Sequence, residues 1–100
     1  MSKIRVALAQ VNPTVGDIEG NYKKIISFIE EAKKLKSDFI VFPELALVGY
    51  PLEDLLLNSD FLNISFQFVK RIVRAAENIV VLLGAPFLEN KNLFNACFVI

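Results

Sequence analysis

Two side chains of the kinds that serve as general base or nucleophile stand out in this chain. They are a carboxylate, Glu44, directly after the run Phe39-Ile40-Val41-Phe42-Pro43, and the single cysteine, Cys97. A carboxylate partly removed from water keeps its proton to higher pH, which suits a general base working near neutrality. From position alone, a structural ion-pair partner is an equally open reading of Glu44. Cys97 sits in the strand-like run Ala96-Cys97-Phe98-Val99 and reads as a small buried apolar residue, not as a nucleophile. Lys91, in the turn before that strand, reads as a solvated charge. Tyr50 is a packing aromatic with its hydroxyl at the surface or, alternatively, a substrate contact. Asn12 and Asn95 are expected to bond to backbone in turns or at strand ends. With no histidine, the segment can hold neither a Ser-His-Asp nor a Cys-His site, nor an imidazole-ligated metal. Gly16, Gly20, Gly49 and Gly84 form no phosphate loop or dinucleotide fingerprint, so any nucleotide chemistry belongs elsewhere.

These residues need a scaffold, and the sequence suggests one. Ile4 to Ala9 is rich in β-branched and aliphatic residues and predicts a first strand. Asn12-Pro13 and Gly16-Asp17 break the chain into a loop, and Asp17 is placed to cap a helix. Ile18, Tyr22, Ile25, Ile26, Ile29, Ala32 and Leu35 recur at steps of three or four and give that helix one apolar face. Phe39 to Phe42 predicts a second strand, buried on both faces, which Pro43 ends because it has no N–H. Strand, helix and strand form a βαβ unit, with the strands parallel and the crossover right-handed. Glu44 then falls at the carboxyl end of a strand, where open α/β sheets place ligands.

A short helix is expected from Pro51, with Glu53 and Asp54 as dipole-favoured charges in its first turn. A further helix, capped by Ser59 or Asp60, runs to about Ala76 with Phe61, Leu62, Val69, Ile72, Val73 and Ala76 inward. Ile79 to Gly84 and Phe94 to Ile100 read as strands. Pro86 to Asn92 lies between them as a turn region, and the two can pair as neighbours through the turn Glu89-Asn90-Lys91-Asn92. The order is β-α-β-α-β-β, an α/β fold.

Bulk properties narrow the function. One hundred residues make one small domain or a piece of a larger one. The apolar fraction, 54%, leaves surfaces that need cover from further chain or a partner. The sequence also stops inside its last strand, so residues 1–100 are expected to be the N-terminal part of a larger domain. Eleven basic and eleven acidic residues cancel, and no basic block exceeds a pair, which argues against a nucleic-acid partner. Neither a signal-peptide core nor a run near ~20 apolar residues occurs, so no membrane association is expected and a cytoplasmic setting is. One cysteine makes neither an internal disulfide nor a thiolate zinc site.

The string Phe42-Pro43-Glu44-Leu45-Ala46-Leu47-Val48-Gly49-Tyr50-Pro51 resembles the first catalytic motif of the nitrilase, or carbon–nitrogen hydrolase, superfamily. Three further strings narrow the resemblance. Gln10 to Asp17, Gly49 to Leu57 and Leu93-Phe94-Asn95-Ala96-Cys97 are similar to the glutaminase domains of glutamine-dependent NAD synthetases. Leu52, where a second proline is common, and Phe94 in place of tyrosine are departures outside the catalytic position.

The superfamily resemblance implies an αββα four-layer sandwich and a Glu-Lys-Cys triad. Glu44 would be the general base, with the lysine and cysteine both beyond Ile100, and the segment alone would be inactive. Tyr50 would lie near the glutamine pocket or tunnel entrance. The partners implied are L-glutamine here, and ATP with Mg and deamido-NAD in an absent synthetase domain, within a homo-oligomer. Two other readings stay open: a stand-alone amidase or nitrilase of the same superfamily, and a non-catalytic α/β interaction module.

Overall fold

The computed structural model describes residues 3–50 and 58–100. The short helix expected after Pro51 falls outside the described residues. The elements are β1 (Val6–Leu8), α1 (Ile18–Lys34), β2 (Phe39–Val41), α2 (Ser59–Ala75), β3 (Val80–Glu89) and β4 (Asn92–Val99). This is the β-α-β-α-β-β order expected from the sequence.

Helix α1 starts where Asp17 predicts it. The Gly20 N–H donates to Asp17 Oδ1 at 3.0 Å, and Lys33 and Lys34 occupy the last turn. Its inner face buries Ile18, Ile25, Ile29 and Ala32, as the periodicity requires. Leu35, expected on that face, is 58% exposed because the helix has already ended there.

Helix α2 is capped by Asn58, whose side chain accepts from the Phe61 N–H at 3.0 Å, and not by Ser59 or Asp60. A cap at either later residue would have shortened the helix by one or two residues. Ser65, Val69 and Ile72 are its buried positions. Val73 is not inward but 52% exposed, since it follows buried Ile72 and one helical step turns it ~100° away. The two helices meet through an edge-on contact of Tyr22 with Phe68, centroids 5.1 Å apart. The Arg71 guanidinium lies over both rings, at 4.5 and 4.7 Å.

The four strands form one sheet in the order β1-β2-β3-β4, the first two pairings parallel and the last antiparallel. Strand β3 corrects the sequence reading. It does not stop at Gly84 but continues through Pro86 to Glu89, and β4 begins at Asn92, so the turn shrinks to Asn90-Lys91. Both turn residues have positive φ, 49° and 70°, which matches the right-handed twist of a hairpin. Pro86 is tolerated for a geometric reason. Val81 and Ile100 exchange two backbone hydrogen bonds, so the even-numbered residues of β3 point their N–H away from β4. On that side β2 has already ended at Val41, and no ladder bond is lost at Pro86.

Alternation divides the sheet. Ala7, Ile40, Val81, Leu83 and Ala85 are buried or half-buried with the helices in one core. The registered row Leu8, Val41, Leu82, Val99 crosses the opposite face, and its outer members Leu8 and Val99 are each 73% exposed. One helical layer and one sheet layer are thus present.

A buried amide that sequence reasoning passes over ties these parts together. Asn21 is fully buried in α1. Its Oδ1 accepts from the Thr14 N–H at 2.7 Å, and its Nδ2 donates to the carbonyls of Thr14 at 2.8 Å and Leu47 at 3.0 Å. It therefore clamps the loop before α1 to the loop after β2. Asn21→Leu keeps the volume but leaves these backbone groups without partners. It is expected to lower stability by about 2–4 kcal/mol, read as a shift of the urea midpoint at unchanged slope.

Candidate active site

Glu44 is positioned by a compact turn. After β2 the chain runs Phe42-Pro43-Glu44 and folds back through buried Leu45, Ala46, Leu47 and Val48. The Ala46 N–H donates to the Pro43 carbonyl at 3.2 Å, and the N–H groups of Val48 and Gly49 donate to the Leu45 carbonyl at 3.2 and 2.8 Å. Leu45 itself adopts φ 52°, a left-handed conformation that costs a branched residue about 1–2 kcal/mol. The burial of its side chain offsets that strain. Such stored strain is typical of segments that aim a functional group.

Two glycines let this turn lie close to its neighbours. Gly49 has φ 84°, and a Cβ there would meet Val15 Cα at 2.6 Å, where the Gly16 N–H donates to the Val48 carbonyl. At Gly84 a Cβ would stand 2.5 Å from Leu45 N, 2.9 Å from Pro43 O and 3.0 Å from Glu44 Cα. The backbone carrying Glu44 therefore rests directly on β3.

A cleft of about 300 Å³ opens at this point, lined by Phe42, Glu44, Gly84, Asn95, Ala96 and Cys97. Glu44 is exposed at its mouth. The expectation of a carboxylate partly withdrawn from water is thus not met by the described residues. The turn buries the residues after Glu44 and leaves its side chain outside. Asn95 corrects the sequence reading in another way: its Nδ2 donates to Glu44 Oε1, not to backbone. Its position explains this, because Gly84 pairs with Cys97 and Pro86 with Asn95, which brings both β4 side chains to the face that Glu44 overhangs.

Cys97 is exposed on that face and is not the buried residue the sequence suggests. A strand rich in apolar residues reads as buried on both faces, and only the register reveals which positions alternate outward. Lys91 is exposed in the hairpin turn and takes no part in the cleft. Tyr50 is 71% exposed, beyond Gly49, and does not line the cleft either. Among the described residues no group of three or more His, Cys, Asp or Glu is placed to hold a metal ion. No helix among them is long and apolar enough to cross a membrane.

An acid delivered by a tight turn at the carboxyl end of a parallel strand stands where open α/β sheets place their ligand sites. Comparison with known proteins gives the class of protein. Residues 5–100 match the carbon–nitrogen hydrolase family, and the chain belongs to it.

Among curated relatives, the glutamine-dependent NAD(+) synthetase of Thermotoga maritima is 41% identical over 101 residues, covering 100% of this chain and 18% of that protein. That of Aquifex aeolicus is 44% identical over 99 residues, covering 97% of this chain and 17% of that protein. The crystal structure of a glutamine-dependent NAD(+) synthetase from Cytophaga hutchinsonii superposes with a TM-score of 0.95 at 33% identity, over 99% of this chain and 17% of that one. An amidase from Nesterenkonia shares the fold, with a TM-score of 0.71 at 20% identity over 84% of this chain and 32% of that one. The chain thus spans under a fifth of the length of the synthetases it matches.

Proposed function

We propose that residues 1–100 are the N-terminal part of the glutaminase domain of a glutamine-dependent NAD synthetase. The observation that carries this reading is identity of 41% and 44%, across nearly the whole chain, with proteins of that name. The exposed apolar row across the sheet supports the assignment to a larger domain, because a face of that kind calls for cover. The second sheet of a four-layer sandwich would supply it. Further apolar surface would be shared between copies of a cytoplasmic homo-oligomer.

In this reading Glu44 accepts the thiol proton of a cysteine supplied by chain beyond Ile100. The thiolate attacks the amide carbon of L-glutamine, and a lysine, also from beyond Ile100, stabilises the oxyanion. Glu44 hands that proton to the departing nitrogen, so collapse of the tetrahedral adduct expels ammonia, leaves a thioester and restores the carboxylate. Water, deprotonated by the same base, then releases glutamate. The ammonia is used where ATP has adenylated deamido-NAD. Tyr50, exposed beyond the turn that holds Glu44, is assigned to the approach of glutamine.

The test is an assay of the full-length protein with glutamine, ATP and deamido-NAD. Equal amounts of glutamate and NAD are expected. Amide hydrolysis without any NAD would transfer the chain to the stand-alone amidases of the family.

A further inference from the structure

We propose that Asn95 is a positioning residue for the Glu44 carboxylate, holding one of its oxygens so that the other is presented as the proton acceptor. The proposal rests on the reading of Glu44 as the base. Its ground is the one hydrogen bond that Glu44 makes among the described residues, from Asn95 Nδ2 to Oε1, across 51 positions of sequence. The amide orientation follows from chemistry, because an ionised carboxylate only accepts and the opposite flip would set oxygen against oxygen. Neither ion pair among the described residues involves Glu44. Among the described residues, orientation of this carboxylate therefore falls to a neutral amide.

The two ends of the contact are unequal in rigidity. Glu44 stands exposed on a turn, with three side-chain torsions free to wander. Asn95 stands on a strand, flanked by Phe94 and Ala96, which pair with Phe87 and Ala85 in β3. A group on a strand holds its place better than one on a loop, and orienting groups of this kind belong on the stiffer element. With Oε1 occupied, Oε2 is left as the free acceptor of a side chain that lines the cleft together with Cys97, Ala96 and Gly84.

The experiment uses the full-length protein and the variants Asn95→Leu, Asn95→Asp and Glu44→Gln. Rates with glutamine and with ammonia are measured over a range of substrate concentrations, so that kcat and KM are separated. For Asn95→Leu, kcat with glutamine should fall ~10²-fold while KM changes little, since the loss is of alignment and not of binding. Asn95→Asp sets a second carboxylate against Glu44 and should lower kcat at least as far. Ammonia-dependent turnover should be unchanged in all three.

A near-normal kcat in Asn95→Leu, beside an inactive Glu44→Gln protein, would overturn the positioning role and leave the base assignment standing. Glutamine-dependent turnover retained in Glu44→Gln would overturn both. If the leucine variant does not accumulate, Asn95→Ser, whose hydroxyl is too short to reach Glu44, gives the same readout on a polar surface.

Discussion

Glu44→Gln in the full-length protein is expected to lose glutamine-dependent NAD formation by ~10³-fold or more, while formation from added ammonia continues at its original rate. General-base catalysis contributes roughly 10²–10⁴-fold, and here the same group would serve both thiol activation and thioester hydrolysis. The substitution is well matched to the site. Glutamine has the length of glutamate, and its amide oxygen can still accept from Asn95 Nδ2. What disappears is the capacity to take a proton. The turn beneath it is held by backbone bonds to the Pro43 and Leu45 carbonyls, which the side chain does not make, so the fold should persist. Ammonia bypasses the amide-cleaving step and serves as the internal control. Glutamine-dependent turnover within about threefold of the parent would remove Glu44 from the role of base.

The second large effect is expected at a residue with no side chain. Gly84→Ala introduces a Cβ 2.5 Å from Leu45 N and 3.0 Å from Glu44 Cα, and both are backbone atoms that cannot rotate aside. The strand conformation at Gly84 does not itself demand glycine, so β3 can keep its pairing and the turn must lift. A displacement near 1 Å at a reacting group costs ~10²-fold in rate. Glutamine-dependent kcat should fall by that factor, and the overpacking should remove about 1–3 kcal/mol of stability. Gly84→Val should be worse on both counts. Steady-state kinetics with the two nitrogen sources, beside equilibrium denaturation, separate the effects. An alanine protein as active as its parent would mean that the turn can shift without carrying the Glu44 carboxylate away.

The parts legible in the sequence are those set by local rules. Asp17 caps α1 because a short carboxylate before an apolar face has few other uses, and the βαβ order follows from the periods of the flanking segments. Glu44 is legible as an isolated acid after a strand, and its family motif gives it a role. What stays hidden depends on register. Asn95 and Cys97 alternate outward only because Gly84 pairs with Cys97; the sequence marks the turn at Glu89 to Asn92, but not how far the pairing runs back from it through Pro86. Pro86 reads as a strand terminator as long as its missing N–H counts as a loss. The structure turns that position away from β4, the strand that could have used it. Asn21 is hidden differently, as a polar residue on a helix with ample apolar neighbours. Its three hydrogen bonds go to two loops, at separations of 7 and 26 residues.

The hairpin also makes the site sensitive to counting. Strands β1 and β2 are three residues long, whereas β3 and β4 have ten and eight, so the acid from the short strand meets the amide from the long one at a step in the sheet. Which side chain waits at that step is decided by parity. A slip of one residue at Asn90-Lys91 would turn Asn95 beneath the helices and offer Glu44 an alanine or a phenylalanine instead. A slip of two would restore the face but present Leu93 or Cys97 in place of the amide. The distance around the turn works as a combination lock with one setting, and Asn90 and Lys91, far from any chemistry, hold the dial.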